Sequence, residues 1–311
     1  MPAFDVLAVG DLNIDLILGV NALPEFGREV LAGSLSQHAG GVAANFASYC
    51  VRLGLKVALV ARVGRDDFGD FLLARMAEIG VCTDYIVRDD TLSTGVTVSL
   101  SGPRDRAFVT HLGTIDSLTG ADLPDELMYE TRLVHVGSYF LQKKLQPDLP
   151  GVLARAHAAG AITSLDTGYD PYETWDSGLS QVLPHVDLFL PNEIEISAIT
   201  HASDPLTGAR ELAAEGPGVA LKLGGAGSHY VTTDNAFSAQ PFRVVLADTT
   251  CCGDSFDAGF LTAWLQGKTP QECLEWGNAC GALVASAPGN AADRLSLEAI
   301  QQVLTTGSVS P

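Results

Sequence analysis

The chain has 311 residues, 47% of them hydrophobic and 18% charged, too many for a peptide module or a disulfide-stapled mini-protein and enough for one large α/β domain or two small ones. With 18 basic against 37 acidic residues the net charge is −19, which disfavours generic attraction to nucleic acid or to an anionic membrane. Any polyanion must be held by local design.

In chain order, Val6 to Val9 reads as a short buried strand, and Leu12 to Gln37 follows with period-two patterning broken by Gly and Pro turns. Ala43 to Leu53 is compatible with a helix, Val57 to Val60 with a strand and Gly69 to Glu78 with a helix. A second β-rich stretch runs from Thr94 to His111, with Val96-Thr97-Val98-Ser99-Leu100 followed by Ala107-Phe108-Val109-Thr110. Leu133 to Val136 predicts a strand, Leu149 to Ala159 a helix, and Ile162 to Leu165, Leu188 to Leu190 and Val219 to Leu223 three further strands. Two long helices occupy Asp254 to Ala287, broken at Lys268-Thr269-Pro270, and a Gly289-Asn290 turn leads to a last helix, Ser296 to Leu304.

Alternation of this kind predicts an α/β fold, a doubly wound and mostly parallel sheet with helices on both faces. Ligands of such sheets lie outside the carboxyl ends of the strands. The β-rich stretches, about 12–37 and 94–111, predict a small β-sheet lid on a single domain spanning 1–311. No fixed-period repeat or low-complexity tract is present.

The most informative segment is Asp248-Thr249-Thr250-Cys251-Cys252-Gly253-Asp254-Ser255-Phe256-Asp257-Ala258-Gly259-Phe260. A polar turn of small residues enters an apolar helical run, which leaves backbone N–H groups near Cys251 to Asp254 without intrahelical partners. Those donors and the positive end of the helix dipole form a site for a phosphate. Asp254 reads either as a helix-capping acid or as a catalytic base.

This segment resembles the C-terminal signature D-T-x-G-A-G-D of the ribokinase-like (PfkB) carbohydrate kinases, and Gly40-Gly41-x-x-x-Asn45 resembles their N-terminal one. Three more landmarks stand in the family's order: Gly10-Asp11-Leu12-Asn13-Ile14-Asp15, the N-x-x-E run Asn192-Glu193-Ile194-Glu195, and the nucleotide-loop segment Lys222-Leu223-Gly224-Gly225-Ala226-Gly227. The resemblance covers nearly the whole chain. It implies ATP-dependent phosphorylation of a hydroxyl on a sugar or sugar-like compound, with Asp254 as general base and the N–H groups of Cys251, Cys252 and Gly253 as an anion hole. It assigns the substrate to Asn13, Asp15, Gly40, Gly41, Asn45 and Asp254. ATP falls to Asn192, Lys222, Gly225, Gly227 and Asn278, the last near the start of a late helix. Mg²⁺ is expected near Glu195 through water. Asp248, Thr250 and Gly289 match part of a monovalent-cation (K⁺) site, and homodimers through the lids are common in the family.

Ordinary readings stand beside these. Asn192 and Glu195 also make a capping box after Pro191, and Gly40-Gly41 also punctuates a helix start. Lys222 lies in an apolar strand where an unpaired ammonium is costly, so a phosphate partner is expected. Cys251 and Cys252 replace the usual Gly and Ala; a thiol at a helix N-terminus has a lowered pKa, whereas a buried one is inert. Arg104 and Arg106 in the lid read as solvated charges first and as a pointer to an acidic substrate second.

His38, His111 and His135 lack metal-ligand spacing, and the P-loop and Gly-x-Gly-x-x-Gly fingerprints are absent. The missing glycine fingerprint counts against a dinucleotide-dependent oxidoreductase. A nucleoside kinase of the same fold fits the same motifs, and so does a non-catalytic sugar or nucleotide sensor, although an intact Asp254 and Asn45 argue against the sensor. Six scattered cysteines (Cys50, Cys82, Cys251, Cys252, Cys273 and Cys280) without a CxxC pair read as reduced thiols. No basic-then-apolar leader and no long apolar run is seen, so a cytoplasmic location is expected.

Overall fold

A computed structural model describes residues 2–102 and 106–309. In chain order its strands are β1 (Phe4–Val9), β2 (Asn13–Gly19), β3 (Ser34–Gly40), β4 (Val57–Gly64), β5 (Ile86–Asp89), β6 (Val96–Ser101), β7 (Arg106–His111), β8 (Thr131–Val136), β9 (Ile162–Leu165), β10 (Leu188–Phe189), β11 (Gly218–Lys222), β12 (Ser228–Val231) and β13 (Ala236–Ala239). The helices are α1 (Val42–Arg52), α2 (Asp67–Ile79), α3 (Asp125–Tyr129), α4 (Leu149–Ala158), α5 (Leu179–Val182), α6 (Glu193–Thr200), α7 (Pro205–Ala213), α8 (Cys252–Leu265), α9 (Pro270–Ala285) and α10 (Leu297–Thr306).

The large sheet runs β13-β12-β11-β10-β9-β8-β1-β4-β5. From β11 to β5 every neighbour is parallel, whereas β12 and β13 form an antiparallel hairpin at one edge. Central strands bury both faces, which is why they read as continuous apolar runs. In β1, Val6 and Ala8 face a core shared with α1, α2, α8, α9 and α10. Leu7 and Val9 face the other, shared with α3, α4, α5 and α7. Among the described residues no helix is long and apolar enough to cross a membrane.

Chain order reverses between β1 and β8, so the connections leaving these two paired strands run in opposite directions and leave a crevice outside their carboxyl ends. Gly10 ends β1 in that crevice with φ +149°, and a Cβ there would lie 2.7 Å from the Gly137 carbonyl oxygen. Only glycine lets the two strand ends approach this closely.

The two β-rich stretches make a separate four-stranded sheet, β3-β2-β6-β7. Its first segment extends past the expected boundary at residue 37 to Gly40, because β3 pairs with β2 down to Asn13↔Gly40. The strand β5 and the β12–β13 hairpin lie outside the expected elements; all three strands belong to the edges of the large sheet and have four residues each.

Candidate active site

Two helix N-termini meet at the crevice. Gly41, with φ +104°, precedes α1, where a Cβ would lie 2.5 Å from the Asp11 carbonyl oxygen. The buried Asp11 carboxylate accepts from the Ala43 N–H (3.1 Å) and from Ser138 Oγ (3.0 Å), fastening α1 to the segment after β8. Asn45, one turn into α1, donates through Nδ2 to Asp254 Oδ2 (3.1 Å) and to Cys251 Sγ (3.2 Å). The expected substrate and base residues, 209 positions apart, are therefore direct neighbours.

Asp254 lies in the first turn of α8. Burial, with the negative charge of Asp166 nearby, pushes its carboxyl up to about 8, against the stabilising hydrogen bond from Asn45. Cys251 caps the helix in the left-handed region at φ +60°. A β-carbon there costs roughly 1–2 kcal/mol, which gives a physical reason for the glycine usual at this position. Among the described residues the N–H groups of Gly253 and Asp254 find no acceptor, so they remain available to an anion.

Of the two readings of the Cys251 and Cys252 thiols, the buried and inert one fits. Burial and the carboxylates of Asp254 and Asp15 hold Cys251 well above the usual thiol value. Burial, Asp248 and Asp254 push Cys252 up to about 12, although Arg106 opposes this. Like charge and desolvation outweigh the helix terminus.

The small sheet closes the other side. Asn13 Nδ2 on β2 donates to Asp15 Oδ1 (2.8 Å), and a Cβ on Gly40 would lie 2.2 Å from Asp15 Oδ2. The glycine thus lets the carboxylate lie against the β3 backbone. Burial lifts Asp15 to about 6, with Asn13 pulling the other way.

Lys222 finds its counter-charge within the protein, so a phosphate is not needed to balance it. Its Nζ donates to Asp166 Oδ2 (2.6 Å) and to Asp257 Oδ1 and Oδ2 (3.0 and 3.2 Å). Burial opposes the charge of Asp166, yet Lys222 and neighbouring donors carry it down to about 2. Asp257, fully buried and facing Asp166, is pushed up by burial despite Lys222. A Cβ on Gly253 would stand 3.7 Å from the ammonium, which places this charge directly beneath the α8 turn.

Asn192 and Glu195 do form a capping box: Asn192 Oδ1 accepts from the Ile194 and Glu195 N–H groups, and Glu195 accepts from the Asn192 N–H (2.8 Å) and Nδ2 (2.7 Å). Burial and the nearby Asp166 lift Glu195 to about 7. Gly225 has open space where a Cβ would be, whereas Gly227 (φ +92°) would meet the Ala239 carbonyl oxygen at 2.2 Å. Gly227 is thus fixed by the β12–β13 hairpin. Asn278 lies in the middle of α9, not near a helix start, because Thr269 and Pro270 begin the helix earlier. Its Nδ2 donates to the carbonyls of Ala239 and Gln240.

Asp248, Thr250 and Gly289 come together as expected. Asp248 Oδ1 accepts from the Thr250 N–H (2.9 Å) and Oγ1 (2.6 Å), and Oδ2 accepts from the Gly289 N–H (3.0 Å). Arg106 Nη1 also donates to Asp248 Oδ1 (2.8 Å) and to Thr250 Oγ1. The guanidinium is thereby committed to the protein, so Arg106 is not a ready anchor for an acidic substrate; Arg104 lies outside the described residues.

His135 is buried against the Phe46 ring, with centroids 3.9 Å apart, and burial drives its pKa down to about 3, so it is a neutral packing group. Sequence reasoning missed Asp11, Asp166 and Asp257. Asp166 ends an apolar strand, and Asp257 is an acid one turn beyond Asp254 inside an otherwise apolar helical run; a charge in such a run was the available signal.

The match to the pfkB family carbohydrate kinase domain spans residues 3–296. Over 285 residues the chain is 30% identical to an ATP-dependent ribose-1-phosphate kinase of Halopiger xanaduensis, covering 91% of this chain and 93% of that one. A nucleoside kinase of Methanothermobacter thermautotrophicus is 26% identical over 292 residues, 92% of this chain and 90% of its own. An Escherichia coli protein assigned as ribokinase II, solved with ATP and Mg²⁺, superposes with a TM-score of 0.86 at 22% identity, covering 97% of this chain and 99% of that one. That last likeness is one of fold.

Proposed function

The chain belongs to the pfkB family of carbohydrate kinases, and on that premise we propose that Asp254 is the general base of an ATP-dependent phosphorylation of a sugar hydroxyl. The protein is a phosphotransferase with an alcohol acceptor; the residue roles are our reading. The observation that carries them is the hydrogen bond from Asn45 to Asp254 beside the unpaired N–H groups of the α8 turn.

A sugar hydroxyl, primary or anomeric, placed against Asp254 gives up its proton to the carboxylate as its oxygen forms a bond to the γ-phosphorus. The bond from that phosphorus to the β-bridging oxygen breaks, and ADP leaves. Charge on the transferring phosphoryl is met by the N–H groups of Cys251, Cys252 and Gly253. A carboxyl lifted to about 8 is a stronger base than an ordinary aspartate and is still ionised in part near neutrality.

Asn13, Asp15 and Asn45, with the backbone at Gly40 and Gly41, offer paired amide and carboxylate groups to vicinal hydroxyls. Their chemistry favours a neutral polyhydroxyl compound over a sugar acid, since Arg106 is engaged elsewhere. ATP is assigned to Asn192, Lys222, Gly225, Gly227 and Asn278. In that assignment Lys222 acts beneath the phosphate turn through its charge, and Asn278 acts through the carbonyls it holds.

Mg²⁺ fits as a hydrated ion. Among the described residues no group of three His, Cys, Asp or Glu side chains is placed to hold a metal, and both Glu195 oxygens already accept from Asn192. Glu195 and Asn192 would reach the ion through water while the nucleotide phosphates bind it directly. When bound, the ion neutralises phosphate charge. Residues 1–311 are taken as one kinase unit with the small sheet as its lid. The free cysteines favour a reducing, cytoplasmic location. Exposed Leu35, Phe108 and Val109 support pairing of two lids in a homodimer.

The test is ADP release across sugars, sugar acids, sugar phosphates and nucleosides. Turnover of a neutral sugar is expected; turnover of nucleosides alone would move the assignment to a nucleoside kinase, and ligand binding without ADP release would leave a sensor.

A further inference from the structure

Arg106 opens β7, and the acceptors it reaches, Asp248 and Thr250, lie immediately before the α8 turn. One carboxylate therefore gathers three segments: the small sheet through Arg106, the 248–250 turn through Thr250, and the following loop through Gly289. The other ion pairs among the described residues do not join the small sheet to the C-terminal third of the chain. We propose that Arg106 is a positioning residue that couples the seating of the small sheet over the sugar to the shape of the phosphate-binding turn. This rests on the reading of Asp254 and its turn given above.

Three further observations support it. Asp15 on β2 pairs with Thr97 on β6, and Thr97 pairs with Thr110 on β7, so the substrate residues and Arg106 belong to one hydrogen-bonded sheet. A sugar that draws β2 inward carries β7 with it. Phe108, two residues along the same face of β7, lies 5.5 Å beneath the guanidinium and limits where it can point. Finally, a bare Asp248 carboxylate beside the turn would repel the ATP phosphates, and Arg106 cancels that charge where it arises.

The pair is a third exposed on the arginine side and a quarter on the aspartate side. Rim ion pairs of this kind contribute little to stability, about 0–1 kcal/mol. Alignment is more sensitive, since a displacement of about 1 Å at a transfer site costs up to roughly 100-fold in rate. Loss of Arg106 should therefore appear in turnover and in communication between the two substrates, with the fold intact.

The experiment measures ADP release and binding of the non-hydrolysable ATP analogue AMP-PNP, with and without the best sugar, for wild type, Arg106→Ala, Arg106→Gln, Arg106→Lys and Asp254→Asn. Arg106→Ala is expected to lower kcat by roughly 10- to 100-fold and to bring the sugar-dependent gain in AMP-PNP affinity close to unity. Arg106→Gln should behave alike, while Arg106→Lys or added guanidinium ion with Arg106→Ala should restore much of the turnover. Asp248→Asn should add little on top of Arg106→Ala, because the two residues act as one unit. Turnover of Arg106→Ala and Arg106→Gln close to wild type, intact coupling, or fully multiplying effects with Asp248→Asn would overturn the proposal. Activity surviving in Asp254→Asn would instead sink the general-base reading, and the two failures are told apart by which variant keeps its rate.

Discussion

The two halves of the site are built on opposite principles. On the α8 side, Lys222, Asp166, Asp257 and Glu195 form a buried cluster whose charges are set by one another, and the half-buried Asp254 stands at its edge, held by Asn45. On the small-sheet side, β3 and β7 are mostly exposed; Asn13 and Asp15 on β2 carry no ion pair among the described residues and are held by the Asn13 amide, which donates to Asp15, the Ile14 carbonyl and Thr97, and by the packing of Gly40. Burial strengthens electrostatics and permits no slack, which suits a base and a phosphate turn. Exposed strands tolerate adjustment, which suits recognition of one polyol among many. Removing groups from the buried half should abolish chemistry or folding, whereas removing them from the sheet should weaken substrate binding.

The largest expected effect is at Asp254. Replacement by Asn should lower kcat by roughly 100- to 10,000-fold while leaving the affinity for ATP nearly unchanged, as read by ADP release and titration calorimetry. The same carboxylate sets the pH dependence. It is a base only when deprotonated and its pKa is raised to about 8, so turnover should rise with pH and level off above that value. A profile levelling off near the ordinary carboxylate range would show that another group is the base.

Lys222→Met comes next. Two facing buried carboxylates lose their shared cation, and breaking such a pair costs about 3–5 kcal/mol, to be read as a fall in unfolding free energy. The surviving carboxylates move to higher pKa, because the positive charge that favoured ionisation is gone, so any residual activity should peak at higher pH. Unchanged stability would mean that the network is wetter than its geometry shows.

On the small-sheet side, Asn13→Ala should raise the sugar KM by about tenfold, the worth of one good hydrogen bond, with kcat changed far less. A loss confined to kcat would erase the contrast between the halves. The smallest effect concerns the monovalent cation. With Arg106 already on Asp248, exchanging Na⁺ for K⁺ should alter turnover by less than about twofold, within the salt sensitivity of an exposed ion pair. Strong activation by K⁺ would show that the ion displaces or supplements the guanidinium.

Much of the architecture was legible because it is local. Apolar runs bounded by turns marked β1, β4, β8, β9, β10 and β11, with Ile162–Leu165 matching β9 end to end. Strands such as β12 and β13, four residues each, are too short to carry a periodic signal. Motif order found Asn45 and Asp254 but read Asn278 too close to a helix start, since the capping box at Thr269 and Glu272 sets that boundary.

By itself, the sequence determined the layered α/β plan, the two β-rich insertions and the polar turn entering α8, because strand periodicity, turn residues and unpaired helix-terminal donors depend on neighbours in the chain. Tertiary structure alone decided which charges meet. Lys222 found Asp166 and Asp257, Arg106 found Asp248 across 142 positions, and the Cys252 thiol rose instead of falling. Those outcomes follow from desolvation and from distances between remote segments, quantities that exist only once the chain is packed. The same holds for the net charge of −19: an acidic chain can still offer unpaired donors to an anion because packing gathers the helix-terminal N–H groups and the Lys222 ammonium at one turn.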